Sequence, residues 1–421
     1  MFKKLTFPNG LRLILAPQPK SLASTILVLV EAGSEYETKS INGLSHFLEH
    51  MCFKGTTHRP THSAISTELD SLGAEYNAFT SQEYTGYWAK AQSHKLPQLI
   101  DIVSDLYLNP IVDAAELEKE RGVIIEEINM YEDNPMRRVQ EIFTALLYGD
   151  QPAGWDIAGE KSVIRNVKRE EFLKYRSARY IASTTVVVVA GAFNERVVTE
   201  SIRKLFSGLP KVRAARKPVT TEHQTKPAVL AKFKESDQTH LVLGVRAFDI
   251  FDKRRYAIQI LADVLGGGMS SRLFRRVREE MGAVYYVRAG SDLFLDHGYF
   301  EVSAGSDNAR APQVVKAILE ELGRVKKELI PPKELQKAKD HMIGGLILGL
   351  ETSDEWASYY GGQEIMSRKV VEPGELVRRV NQVKAEDLRA LARTIFQDRR
   401  LNLALIGPHK TEASFKKLLR L

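Results

Sequence analysis

Ser45-His46-Phe47-Leu48-Glu49-His50-Met51 lies inside a stretch of helical apolar spacing over residues 44–53. On a helix, side chains four apart leave the same face about one turn from each other, so the imidazoles of His46 and His50 project together. Two ring nitrogens placed in this way can reach one zinc ion. Glu49, three residues after the first histidine, stands near the same face, where a carboxylate can take a proton from a water held by the metal. The pattern is H-x-x-E-H, the inverted zinc motif. Taken alone, these residues fit equally well an amphipathic helix whose histidines make ordinary hydrogen bonds.

A metal site needs more ligands. The segment Glu116-Leu-Glu-Lys-Glu120-Arg-Gly-Val-Ile-Ile-Glu126-Glu127-Ile-Asn-Met-Tyr reads as part of a helix over 114–131, and Glu120 and Glu127, seven apart, stack on one side of it. Val123, Ile124 and Ile128 are expected to face inward with that side or to flank it. Carboxylates beside an apolar stripe are costly unless paired or metal-bound. Glu116, Glu118 and Glu126 read instead as a solvated acidic face.

The rest of the chain narrows the choice of ligands. Its 421 residues hold one cysteine, Cys52, which excludes an internal disulfide framework and any multi-cysteine metal site and suits a reducing compartment. A metal must therefore sit on His, Asp or Glu, and Cys52 itself reads as a small buried apolar residue. The net charge of +7 comes from interspersed charges of both signs, and with a sequence pI of about 9.1 it makes no case for a nucleic-acid partner. Pro8, Asn9 and Gly10 interrupt the N-terminus before an apolar signal region forms, and no stretch reaches the roughly 18 consecutive apolar residues of a membrane span. A soluble, cytoplasmic protein without membrane contact is expected.

Strands are predicted at 11–16, 25–31, 84–92, 184–190, 240–247, 283–289, 298–304 and 401–406, separated by long helical segments. The stretch 208–234, with Pro210, Pro218 and Pro227 among basic and Thr residues, reads as an exposed crossing between domains 1–215 and 216–421. Gly73-Ala-Glu-Tyr76 matches Gly282-Ala-Val-Tyr285, and Glu116-Leu-Glu-Lys119 matches Glu334-Leu-Gln-Lys337, at offsets of 209 and 218 residues. A duplicated unit of about 200 residues explains both. The fold class is α+β, each copy a sheet with helices packed on one face.

His46-Phe-Leu-Glu-His50-Met-x-Phe-Lys-Gly55-Thr56, then Gly73-Ala-Glu-Tyr-Asn77-Ala78-Phe79-Thr80, then Glu120-Arg-Gly-Val-Ile-Ile-Glu-Glu127 follow in order at compatible spacings. In these motifs, and over essentially its whole length, the chain resembles the pitrilysin-like (M16) metallopeptidases, in the subfamily of the mitochondrial processing peptidase and its bacterial relatives (M16B). The resemblance implies a LuxS/M16-like fold with mostly antiparallel sheets and a zinc endopeptidase acting on oligopeptides or extended protein segments. It implies zinc on His46 and His50 and Glu49 as base. The third ligand, 76 or 77 residues beyond the second histidine, falls on Glu127, with Glu126 as runner-up. Glu120 then orients a ligand from behind, and Asn77, Ala78 and Phe79 accept the substrate as an added strand, against the plainer reading of an ordinary core strand.

Aligned on the motif, the second copy places Ile260 and Val264 at the histidines and Gly345 at Glu127, so one zinc per chain is expected. Gly266-Gly267-Gly268 lacks the Lys-Ser/Thr of a phosphate loop and reads as a turn. By resemblance, Arg278 and Tyr285 hold the substrate backbone and help stabilise the oxyanion. Family relatives close two two-domain halves round a chamber. This chain is one such half carrying both elements, which implies a homodimer with Arg278 and Tyr285 serving the partner's metal, or a heterodimer with a related subunit. A non-catalytic structural or assembly subunit is the alternative, although such members typically lose motif residues that are all present here.

Overall fold

Thr185-Val-Val-Val-Val-Ala-Gly191 exposes none of its residues, and a run so rich in β-branched side chains without polar alternation is a strand covered on both faces. In the computed structural model, which describes residues 2–421, it is the third strand of a six-stranded sheet. That sheet holds β1 (Lys3–Thr6), β2 (Arg12–Pro17), β3 (Ala23–Val30), β4 (Glu75–Thr80), β5 (Thr85–Gln92) and β6 (Thr185–Gly191), in the order β1-β2-β6-β3-β5-β4. β2 and β6 run parallel and the other neighbours antiparallel. A second sheet holds β7 (Ala228–Phe233), β8 (Gln238–Arg246), β9 (Val284–Leu293), β10 (Gly298–Asp307) and β11 (Asn402–Gly407), in the order β7-β11-β8-β10-β9 with β7 and β11 parallel.

Without β1 the two orders correspond strand for strand. The repeated Gly-Ala-x-Tyr motif leads into β4 in one sheet and β9 in the other, and Gly73 and Gly282 take the same left-handed conformation, at φ +61° and +56°. The protein is α+β with two tandem homologous units. β7 lies inside the stretch read as an exposed crossing. It is an edge strand with one buried residue, Val229, too weak a pattern to stand out among prolines and lysines.

The helices of the first half are α1 (Leu44–Cys52), α2 (His62–Ser71), α3 (Leu96–Leu108), α4 (Ala114–Asp133), α5 (Pro135–Tyr148), α6 (Lys161–Asn166), α7 (Arg169–Arg179) and α8 (Glu195–Leu205). The second half holds α9 (Arg255–Gly266), α10 (Ala311–Lys327), α11 (Pro332–Leu348), α12 (Ser353–Ser367), α13 (Pro373–Gln382), α14 (Ala385–Ile395) and α15 (Ala413–Lys416), with a π-helical segment at Phe274–Glu280. Among the described residues no helix is long and apolar enough to cross a membrane.

One face of the first sheet, with Leu13, Leu15, Ile26, Val28, Val187 and Val189, packs on α1, α3 and α7 through Phe47, Leu48, Leu99, Val103 and Phe172. The opposite face, with Ile14, Leu27, Leu29, Val186 and Val188, is covered by Ala357, Tyr360 and Ile365 of α12, a helix from the far half of the chain. The second sheet repeats the device: α9, α10 and α14 cover one face, and Val139, Ile142, Phe143 and Leu147 of α5 meet Val242, Ala404 and Ile406 on the other. The first compact unit therefore takes residues up to Ile128, Trp155–Pro218 and Leu348–Glu372, and the second takes Asn129–Gly154, Val219–Ile347 and Pro373–Leu421. These differ from the continuous halves 1–215 and 216–421 by one exchanged helix each way. Periodicity shows that a helix has an apolar face but not which sheet it covers.

Charges lock α12 in place. Glu364, fully buried, pairs with Lys4 at 2.7 Å and Arg12 at 3.3 Å, and Arg12 also meets Glu31 at 2.8 Å. Replacing Glu364 with Leu strands part of the Arg12 charge in a buried site. Equilibrium chemical denaturation is expected to show a loss of about 3 kcal/mol; a loss below about 0.5 kcal/mol would mean the cluster does not hold the helix.

Candidate metal centre

Leu44, Phe47, Leu48, Met51 and Cys52 recur at helical spacing and are all buried, which fixes how α1 lies against its sheet. Burial raises the Cys52 thiol pKa to about 11, in keeping with a small core residue. The start of α1 is anchored from a distance. Gly43 precedes it at φ +94°, where a Cβ would stand 2.5 Å from the carbonyl oxygen of Ala158. Glu37 accepts hydrogen bonds from the backbone N–H of Gly43 at 2.7 Å and of Ser45 at 2.6 Å, and from Asn42 Nδ2 at 3.1 Å. It thus satisfies N–H groups that a helix leaves open at its first turn. Ser45 Oγ and the Tyr175 hydroxyl, 2.7 Å apart, add a second tie.

This anchorage sets the face from which His46 and His50 project, half-buried, with ring centroids 4.7 Å apart. On α4, Leu117, Glu120, Ile124 and Ile128 form the buried stripe. Glu127, three residues after Ile124, stands at its margin. Val123, expected to face inward or to flank that side, is 50% exposed: it lies about 100° round the helix from Ile124, past the edge of the buried stripe.

Glu127 Oε2 lies 3.6 Å from His46 Nε2 and 3.6 Å from His50 Nε2. Donors held about 2.1 Å from a tetrahedral zinc stand about 3.4 Å apart, so the three atoms have nearly the spacing zinc requires. Glu126 is exposed and outside this group. Glu120 Oε1 meets His50 Nδ1 at 2.9 Å, making Nε2 the nitrogen that faces Glu127, and Lys54 Nζ meets Glu120 Oε2 at 2.5 Å. The residues present fit a zinc ion: two imidazoles, one carboxylate and a supporting carboxylate behind one ring.

Electrostatics follow from this crowding. Burial raises the Glu49 pKa, opposed by the Thr80 hydrogen bond and by His50, while Glu127 adds to the rise. Burial alone would lower His50, but the Glu120 hydrogen bond and the charges of Glu49, Glu127 and Glu120 outweigh it and the pKa rises. Glu120 would rise on burial, and its bonds to His50 and Lys54 bring it below the ordinary carboxylate value.

Glu49 and His50 open onto a cleft of about 250 Å³ shared with Asn77 and Ala78 of β4 and lined further by Phe53, Lys54, His62 and Tyr76. β4 is the edge of its sheet. Phe79 turns to the other face, its ring 5.9 Å from Tyr84, and Asn77 Oδ1 accepts the N–H of Ala78 at 2.9 Å. In the second unit, the π-helical segment carries Arg278, whose guanidinium lies 5.3 Å from the Tyr285 ring and donates to the Val284 carbonyl at 2.7 Å. Both side chains are exposed. Ile260 and Val264 are buried core residues there, and Asp263, at the counterpart of Glu49, bonds His341 at 2.6 Å.

Three contributors were missed by the sequence reading. Lys54 and Thr80 stand inside the motifs quoted above, but only their contacts with Glu120 and Glu49 reveal what they do. Glu37 precedes α1 by seven residues, outside any local capping pattern.

Comparison with known proteins agrees with this architecture. Residues 12–161 match the family described as Insulinase (Peptidase family M16), and residues 166–342 match Peptidase M16 inactive domain. The chain belongs to peptidase family M16. The uncharacterized zinc protease YmxG of Bacillus subtilis is 34% identical over 408 residues, covering 97% of this chain and 98% of that protein. The uncharacterized zinc protease Rv2782c of Mycobacterium tuberculosis is 34% identical over 425 residues, covering 99% and 96%. In fold, the chain is similar to a protease from Helicobacter pylori, with a TM-score of 0.91 at 23% identity, covering 97% of this chain and 99% of that one.

Two measurements bear on the site. Glu127→Gln is expected to lower zinc content from about one per chain to near zero, whereas Glu126→Gln keeps it; the reverse pattern in metal analysis would move the ligand to Glu126. Burial pushes the Glu37 pKa up from 4.5 to about 7, despite the hydrogen bonds from Ser45, Gly43 and Asn42. A raised carboxyl contributes stability that is complete below pH 4.5 and is lost as pH rises through about 7. Thermal melts of wild type and Glu37→Gln should therefore show the wild type losing ground to the variant from pH 5 to 8, and a constant difference would contradict this.

Proposed function

We propose that the chain is a zinc-dependent endopeptidase acting on oligopeptides or extended protein segments. The observation that carries this reading is the convergence of His46, His50 and Glu127 within 4.8 Å of one another, beside Glu49. His46, His50 and Glu127 would hold zinc there, which would supply Lewis acidity toward a peptide carbonyl and toward water. Glu49 accepts that water's proton and returns it to the departing amine. Glu120 holds His50 Nδ1, which leaves Nε2 turned toward Glu127 and available as a ligand.

The free edge of β4 offers backbone N–H and C=O groups to an extended peptide, a mode in which main-chain hydrogen bonds bind without demanding a sequence. Asn77 and Ala78 on the cleft wall support this placement of the substrate, with Phe79 filling the opposite face of the same strand. Arg278 and Tyr285 act on the substrate backbone and the developing oxyanion. Their place in the unit whose motif helix carries Ile260 and Val264 where the first carries histidines supports a homodimer in which each copy completes the other's chamber.

Cleavage of a quenched peptide, sensitive to a chelator and restored by zinc, tests the activity. Glu49→Gln should keep zinc and lose at least about a hundredfold in kcat. Full activity in that variant would remove Glu49 as base, and no cleavage by zinc-loaded wild type would favour a structural subunit. Mixing Glu49→Gln with Arg278→Ala chains should restore part of the activity through heterodimers with one intact site. No recovery would count against sharing between copies.

A further inference from the structure

Thr80 ends β4 opposite Thr85, the first residue of β5. Its hydroxyl donates to Glu49 Oε2 at 2.6 Å and stands 3.3 Å from Thr85 Oγ1. The Thr85 hydroxyl donates to the backbone carbonyl of Ala32 at 2.8 Å, and Thr85 is fully buried. A hydroxyl has one hydrogen. With its hydrogen on Ala32, Thr85 presents only lone pairs to Thr80 and is a second, more distant acceptor for the Thr80 hydrogen. The Thr80 hydrogen is then directed to the nearer, charged acceptor, since hydrogen bonds to ionised groups are the shorter and stronger ones.

We propose that Thr80 is a positioning residue for Glu49: it pins Oε2, so that Oε1 is the oxygen that receives and returns the proton. This rests on the reading of Glu49 as base. An unpinned carboxylate rotates about its terminal bond, a broad two-fold torsion, and spends part of its time turned from the cleft. In the transfer, the water O–H bond breaks and a Glu49 O–H bond forms at Oε1, while Oε2 keeps the Thr80 hydrogen bond in both states. The same bond ties the base to β4, the strand proposed to receive the peptide. Pairing along that edge steadies the residue that aims the base, so substrate docking and base alignment share one element.

The test uses zinc-loaded Thr80→Val and Thr80→Ser, with Glu49→Gln as control. Thr80→Val should lower kcat about tenfold or more with KM, zinc content and melting temperature near wild type. Thr80→Ser, which restores the hydroxyl, should recover most of the loss. Adding Thr80→Val to Glu49→Gln should cost nothing further, because the group it positions is gone. Crystal structures of the zinc-free proteins give a readout independent of turnover: Glu49 should leave its cleft-facing orientation in the valine variant and keep it in the serine one. Thr80→Ala replaces the valine variant if that fails to fold. Wild-type kcat with an unmoved Glu49 in the variant lacking the hydroxyl would overturn the proposal, as would a serine variant as impaired as valine. If Glu49→Gln is as active as wild type, the reading of Glu49 as base fails, and the crystallographic orientation still decides whether Thr80 positions it.

Discussion

The bond between Glu120 and the Nδ1 of His50 joins α1 to α4 and determines which nitrogen of that ring faces Glu127. A metal ligand on a freely rotating imidazole would have to be ordered anew for each ion bound, whereas one held by a carboxylate is ordered before the ion arrives. Glu120 is itself buried, and it is affordable there because Lys54 and His50 both meet it. The arrangement depends in turn on where α1 begins, which Glu37 and the left-handed Gly43 set from outside the helix. A chain of neighbouring polar contacts thus carries position from a loop to the His50 imidazole.

The two units show what changes when one frame serves different ends. The strand order is kept, as is the left-handed glycine ahead of β4 and β9. The helix that bears His46 and His50 in one unit bears Ile260 and Val264 in the other, where apolar side chains need no partner and simply fill the core. The second unit presents Arg278 on a π-helical segment, a departure from regular helix hydrogen bonding that is frequent at functional sites.

Much of this was legible in the sequence because it rests on short-range periods. His46 and His50 share a face by helical spacing alone, β6 declares itself by four consecutive valines, and the duplication survives in two short motifs. The choice of Glu127 over Glu126 came only from resemblance, since the two differ by one step that periodicity does not resolve. Glu37, Lys54 and Thr80 were illegible as to role because each acts across a tertiary contact. Val123 was read only as inward or flanking, because one position along α4 separates the buried stripe from solvent. β7 was hidden because an edge strand with a single buried residue leaves almost no alternation to read.

The exchange of α5 and α12 bears on where the chain can be divided. Residues 1–215 alone would leave an oily sheet surface bare where α12 now lies, and residues 216–421 alone would leave one where α5 now lies. A cut at the crossing would therefore yield two sticky fragments instead of two free-standing domains.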